Sequence, residues 1–131
     1  MILDTSALVA ILVEEPDANL YVHAISRAAR CRISAGNYIE LSIVLEGQFG
    51  AEVLRQCDAL IRRVGIIVEP VSLEQAHTAR QAFHDFGKGR HPAGLNYGDC
   101  FAYALAKVSG EALLFKGKDF SKTDIVPALQ P

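Results

Sequence analysis

Four carboxylates far apart in the chain, Asp4, Glu40, Asp99 and Asp119, are the residues of this sequence best suited to do chemistry. Carboxylates that meet in one cleft repel one another unless some are protonated or a cation joins them. Oxygen ligands with no cysteine or histidine among them suit hard divalent ions, Mg²⁺ or Mn²⁺. Such ions organise in-line attack of water on a phosphodiester. The question is therefore whether the fold brings the four together.

The elements that must position them alternate. Ile2-Leu3 is an apolar run that ends at Asp4, and Thr5-Ser6 then open a second apolar run to Leu12. This pattern predicts a short buried strand followed at once by a helix. Pro16 breaks that helix, and Asp17 caps a second with apolar residues at helical spacing to about Arg30. Cys31–Ser34 reads as a second strand, Ala35-Gly36-Asn37 as a turn, and Tyr38 to Gly47 as a helix with Glu40 in its first turns. Glu52 to Val64 is amphipathic, and Ile66–Val68 reads as a third strand. Ser72 with Gln75 forms a capping box ahead of a helix to Phe86. A loop rich in glycine and base, Gly87 to Gly94, leads to a helix capped by Asn96 and running from Tyr97 to Ser109. Ala112–Phe115 is a fourth strand, and Ile125 to Leu129 suggest a short edge strand.

Alternation of this kind predicts an α/β fold: a central, mostly parallel sheet of four to five strands with helices on both faces. Crossover helices run antiparallel to their strands, so their amino ends share an edge with the strands' carboxyl ends. Asp4, Glu40, Asp99 and Asp119 are all placed at that edge, where open α/β sheets bind ligands. Each has a plainer reading. Asp4 can be a helix cap, Asp99 a capping-box partner of Asn96, Glu40 a surface glutamate and Asp119 a turn residue. Their convergence favours chemistry.

The chain has 131 residues, which fits one domain over 1–131, with half its residues hydrophobic and a net charge of −2. Nothing in the global charge advertises nucleic acid or membrane, so any basic contact with RNA must be local. No apolar run approaches a membrane span, and no signal peptide is evident. Three cysteines in apolar settings, Cys31, Cys57 and Cys100, fit reduced thiols in a cytoplasmic protein.

Three segments carry a family resemblance: Ile2–Leu12, Ser34–Leu41 and Leu95–Ala106, supported by Leu114–Phe120 and Thr123–Ile125. They resemble the PIN domain and, more narrowly, the VapC toxins of type II toxin–antitoxin pairs. The similarity spans essentially the whole chain. It implies a PIN fold, Mg²⁺-dependent endoribonuclease activity, a homodimer and a cognate VapB-type antitoxin that occludes the acidic site. Asp4, Glu40 and Asp99 match the family's three core acids, with Asp4 and Asp99 holding the metal. Many PIN domains carry a fourth acid at the position of Gly117. Here Asp119 replaces it with a shifted backbone, or three carboxylates suffice. Asp124 is a further candidate.

Weaker signals surround these. Thr5 or Ser6 can orient Asp4. Lys88, Arg90, His91, Lys116, Lys118 and Lys122 can grip an RNA backbone or be merely solvated, with Lys116 nearest the expected site. Two rival readings stand beside the nuclease. One is a receiver-like phosphotransfer domain, which would need an acceptor aspartate on a central strand where Glu69-Pro70 follows instead. The other is a catalytically silent PIN module that binds RNA or protein.

Overall fold

The computed structural model describes residues 1–130. Pro131, the last residue of the expected domain span, lies outside the described residues.

Strands β1 (Ile2–Leu3), β2 (Arg32–Ser34), β3 (Ile67–Glu69) and β4 (Leu113–Leu114) form a sheet of order β3-β2-β1-β4. Every pairing is parallel, with Ile2 opposite both Arg32 and Leu113. Helices α1 (Thr5–Leu12), α2 (Ala18–Arg27), α3 (Ala35–Phe49), α4 (Ala51–Val64), α5 (Leu73–Phe86) and α6 (Tyr97–Ser109) connect them.

The central strands are apolar throughout because both faces are covered. Successive side chains of a strand point to opposite faces. Accordingly Ile2 and Leu113 pack with Ala102, Leu105 and Phe120 in one core. Leu3 and Leu114 pack with Leu8, Ile25, Leu41 and Cys57 in the other. All four strand residues are fully buried.

Two expectations are corrected in detail. The Ala35–Asn37 segment is the first turn of α3 rather than a turn between elements. Ser34 ends β2 and caps the helix directly, its hydroxyl accepting from the Gly36 N–H. The cap satisfies a donor at the helix start, which outweighs the weak helix preference of Gly36 and Asn37. Glu40 therefore lies in the second turn of α3. The tail forms one bridge rather than an edge strand: Pro127 pairs with Leu113, held by hydrogen bonds from Leu113 N to Val126 O and from Ala128 N to Leu113 O. Pro127 has no N–H to extend the ladder.

Candidate active site

Asp4 follows β1 directly and is the N-cap of α1. Its Oδ2 accepts from the Ser6 N–H at 3.1 Å and from the Ser6 hydroxyl at 2.5 Å. The Ser6 hydroxyl also accepts from the backbone N–H of Lys116 at 2.9 Å. Ser6 thus ties Asp4 to the segment that follows β4.

Glu40 reaches the same place from α3. Its Oε1 accepts from the Thr5 hydroxyl at 2.6 Å and from Asn37 Nδ2 at 3.3 Å. Its Oε2 lies over Gly98, where a methyl group would stand 1.9 Å from it. Only the missing side chain at Gly98 leaves room for this carboxylate against α6. Asp99 is the next residue. Its Oδ2 accepts from the Asn96 N–H, and Asn96 Oδ1 accepts from the Asp99 N–H, both at 2.9 Å.

The plain readings of Asp4 and Asp99 are realised, and neither uses up the carboxylate. Asp4 caps α1 and Asp99 completes the capping box of α6. Each uses one oxygen to do so, as Glu40 uses one to hold Thr5 and Asn37. Asp4 Oδ1, Glu40 Oε2 and Asp99 Oδ1 accept no hydrogen bond among the described residues. Fixing one oxygen orients a carboxylate and leaves the other for a ligand.

Asp119 is exposed, at the start of a 3₁₀ turn over Phe120–Lys122. Its charge reaches Asp99. Gly117 has φ +106°, a conformation that side chains other than glycine's rarely adopt. A side chain at position 117 would be strained, whereas Asp119 has an ordinary helical backbone.

The charges of these acids act on one another. Burial pushes the Asp4 carboxyl up to about 7; the Ser6 hydrogen bonds oppose this, and the charges of Asp99 and Glu40 add to it. Burial likewise raises Asp99, opposed by the Asn96 N–H and reinforced by Asp119 and Glu40. The amino ends of α1 and α6 favour the ionised forms, but burial and mutual repulsion win.

Among the described residues no group of three His, Cys, Asp or Glu side chains stands close enough to cage an ion unaided. The donor set nonetheless fits a hard divalent cation. It consists of carboxylate oxygens without hydrogen-bond partners among the described residues, one of them on Asp4, whose carboxyl burial raises to about 7.

Of the remaining candidates, Asp124, Lys116 and His91 are engaged elsewhere. Asp124 has both oxygens occupied, by Tyr103 at 2.7 Å and Lys107 at 2.6 Å. The Lys116 ammonium is bound to Glu15 and, at 2.9 Å, to Asp17, so it braces the α1–α2 turn rather than facing outward. His91 Nδ1 accepts from the Ala93 N–H, and its ring packs edge-on against Phe86. Lys88, Arg90, Lys118 and Lys122 are exposed. Sequence reasoning missed Asn37 and Gly98. Their partners lie 61 and 58 residues away, on helices whose crossing no local pattern announces.

A family model described as "PIN domain" matches residues 1–126. The chain is 50% identical over 125 residues to a protein named Ribonuclease VapC from Mycolicibacterium smegmatis, covering 95% of this chain and 97% of that protein. It is 47% identical to Ribonuclease VapC30 of Mycobacterium tuberculosis, over the full length of both. Among solved structures, Mycobacterium tuberculosis VapC20, a sarcin-ricin-loop-cleaving toxin, superposes with TM-score 0.79 at 17% identity, covering 99% of this chain and 98% of that one. VapBC-1 of nontypeable Haemophilus influenzae superposes with TM-score 0.71 at 19% identity, over 95% and 93% of the two chains.

Proposed function

Because this chain belongs to the PIN-domain family, among proteins named VapC ribonucleases, we propose that it is a metal-dependent endoribonuclease and the toxin of a VapBC-type toxin–antitoxin pair. The observation that carries the proposal is the trio Asp4, Glu40 and Asp99, each with one oxygen fixed and one without a partner, in a field that lacks a cation.

In this reading Asp4 and Asp99 hold Mg²⁺, with Mn²⁺ as a substitute, and Glu40 and Asp119 complete the shell directly or through water. An ion held there would supply a lowered pKa for a bound water and stabilisation of charge on the phosphate. Ser6 keeps Asp4 in its rotamer, and Thr5 does the same for Glu40. Glu40 Oε2, free of hydrogen bonds, takes the proton of the attacking water. Lys118 and Lys122, exposed beside Asp119, meet the RNA backbone.

An antitoxin partner is supported by neighbours that are themselves toxin–antitoxin complexes, including one from Klebsiella pneumoniae and one from Rickettsia felis. The family resemblance supports a homodimer as part of the same proposal. No helix of the described residues is long and apolar enough to cross a membrane, and the three buried cysteines are unpaired, in keeping with a cytoplasmic setting.

The test is incubation of the antitoxin-free protein with a cellular RNA pool, with Mg²⁺ or with EDTA, beside Asp4→Asn and Asp99→Asn. Discrete fragments that need metal and vanish in both folded variants support the nuclease. Fragments that persist in both variants sink it, and absence of cleavage by the wild type favours a silent binding module.

A further inference from the structure

Asn37 is fully buried within α3. A buried amide is costly unless its polar atoms are paired. Its Nδ2 donates to two acceptors on different elements: Glu40 Oε1 at 3.3 Å, one turn along α3, and the Gly98 carbonyl at 2.9 Å, on α6. Its Oδ1 has no partner among the described residues. The reverse amide orientation would set an oxygen against two acceptors, so the donor side is fixed by its neighbours. A residue present only to fill space would need no amide here, and the unpaired oxygen makes the amide a poor choice for stability alone.

The two helices it joins meet closely because glycines line the crossing. A methyl at Gly36 would lie 2.6 Å from the Phe101 ring, and one at Gly98 would strike the Glu40 carboxylate. Asn37 spans this crossing one residue from Gly36. One of its donors holds an oxygen of Glu40, and the other holds the peptide carbonyl that immediately precedes Asp99.

We infer that Asn37 is a positioning residue that holds Glu40 against α6 and thereby sets the metal affinity of the site. The inference rests on the metal-dependent reading above. Asn37 acts through Glu40, whose Oε1 it holds from the Gly98 carbonyl side. Groups that orient metal ligands in this way typically change affinity by about 10- to 100-fold when removed.

The experiment is titration of the purified, antitoxin-free chain with Mn²⁺ alone, following the free ion by electron paramagnetic resonance, with thermal melts in parallel. The variants are Asn37→Leu, Asn37→Ser, Glu40→Gln, Asp4→Asn and the double variant Asn37→Leu with Glu40→Gln. Asn37→Leu should weaken Mn²⁺ about tenfold with a melting temperature close to wild type, and should cost nothing further in the Glu40→Gln background. Should the leucine variant fail to fold, Asn37→Ser, too short to bridge the helices, is read against the same criteria. Unchanged Mn²⁺ affinity in the Asn37 variants, while Asp4→Asn and Glu40→Gln weaken it, overturns the inference and leaves the metal site standing. A full additional loss in the Glu40→Gln background also overturns it. Unchanged affinity in Asp4→Asn and Glu40→Gln removes the metal site itself, and the inference falls with it.

Discussion

The chain keeps two kinds of acidic cluster. At the carboxyl edge of the sheet, Asp4, Glu40 and Asp99 share a field without a cation, and burial raises the first and last of them. Around the start of the chain, Glu111 accepts from the Met1 ammonium at 2.7 Å and pairs with Arg32, which also reaches Glu69 at 3.1 Å. There the ammonium, then Arg32, hold the Glu111 carboxyl below its ordinary range. Asp17, bound by Lys116, is lowered in the same way. The same residue types thus take opposite shifts according to whether the chain supplies the counter-charge. Where it does, the carboxylates are struts. Where it does not, the carboxylates keep a proton or take their counter-charge from outside, and the second case is the one the proposed function uses.

The contrast breaks most visibly through Asp4. Asp4→Asn should abolish metal-dependent RNA cleavage, with a loss at least as large as the roughly 100-fold upper end for groups that merely orient ligands. The same substitution should stabilise the metal-free protein at pH 8. The sign follows from the shift: the folded carboxyl, at about 7 against an ordinary 3.8, holds its proton more tightly than the unfolded one. Metal-free stability therefore falls as pH rises from about 4 to about 7. The cost above that window is up to about 4 kcal/mol, and asparagine does not incur it. Melting curves at pH 4 and pH 8 in EDTA check this; no difference between variant and wild type at either pH would contradict it.

Glu111→Gln is the mirror image. It leaves Arg32, whose side chain is only 14% exposed, short of its counter-charge. It should destabilise by about 1–3 kcal/mol while sparing cleavage. The contribution of Glu111 is present above its ordinary value of 4.5 and is lost as pH falls through its lowered folded value. The variant and wild type should therefore converge in acid, as melts across pH would show. Asp119→Asn should have a smaller effect on cleavage, about tenfold or less, because Asp119 is exposed and acts on Asp99 through charge. Smallest, Lys118→Ala and Lys122→Ala should each weaken RNA binding a few-fold and reduce its salt dependence. Filter binding at two ionic strengths measures it, and equal salt slopes would remove these lysines from the interface.

What the sequence made legible were features with a local signature. The apolar run into Asp4 reads as a buried strand, Asn96 and Asp99 sit at capping-box spacing, and strand–helix alternation places the acids at one edge. What it hid were relations between helices. Nothing near Asn37 tells of the Gly98 carbonyl, and nothing near Gly98 tells that its missing side chain makes room for Glu40. Ser34 did carry a readable signal, a hydroxyl at the end of an apolar strand, but the Ala-Gly-Asn that follows imitates a turn until packing holds it helical. Lys116 looked like a substrate contact because it follows β4 at the site edge. Its ammonium is instead consumed by Glu15 and Asp17, which only the fold brings near.

The most direct test of the contrast is the shift in melting temperature that Mg²⁺ produces at pH 8 in wild type, Asp4→Asn and Glu111→Gln. A ligand that binds only the folded state stabilises it by mass action. Mg²⁺ should raise the melting temperature of wild type and of Glu111→Gln by similar amounts and leave Asp4→Asn unmoved. An equal rise in all three would mean that the ion binds elsewhere and that the uncompensated acids are not its site.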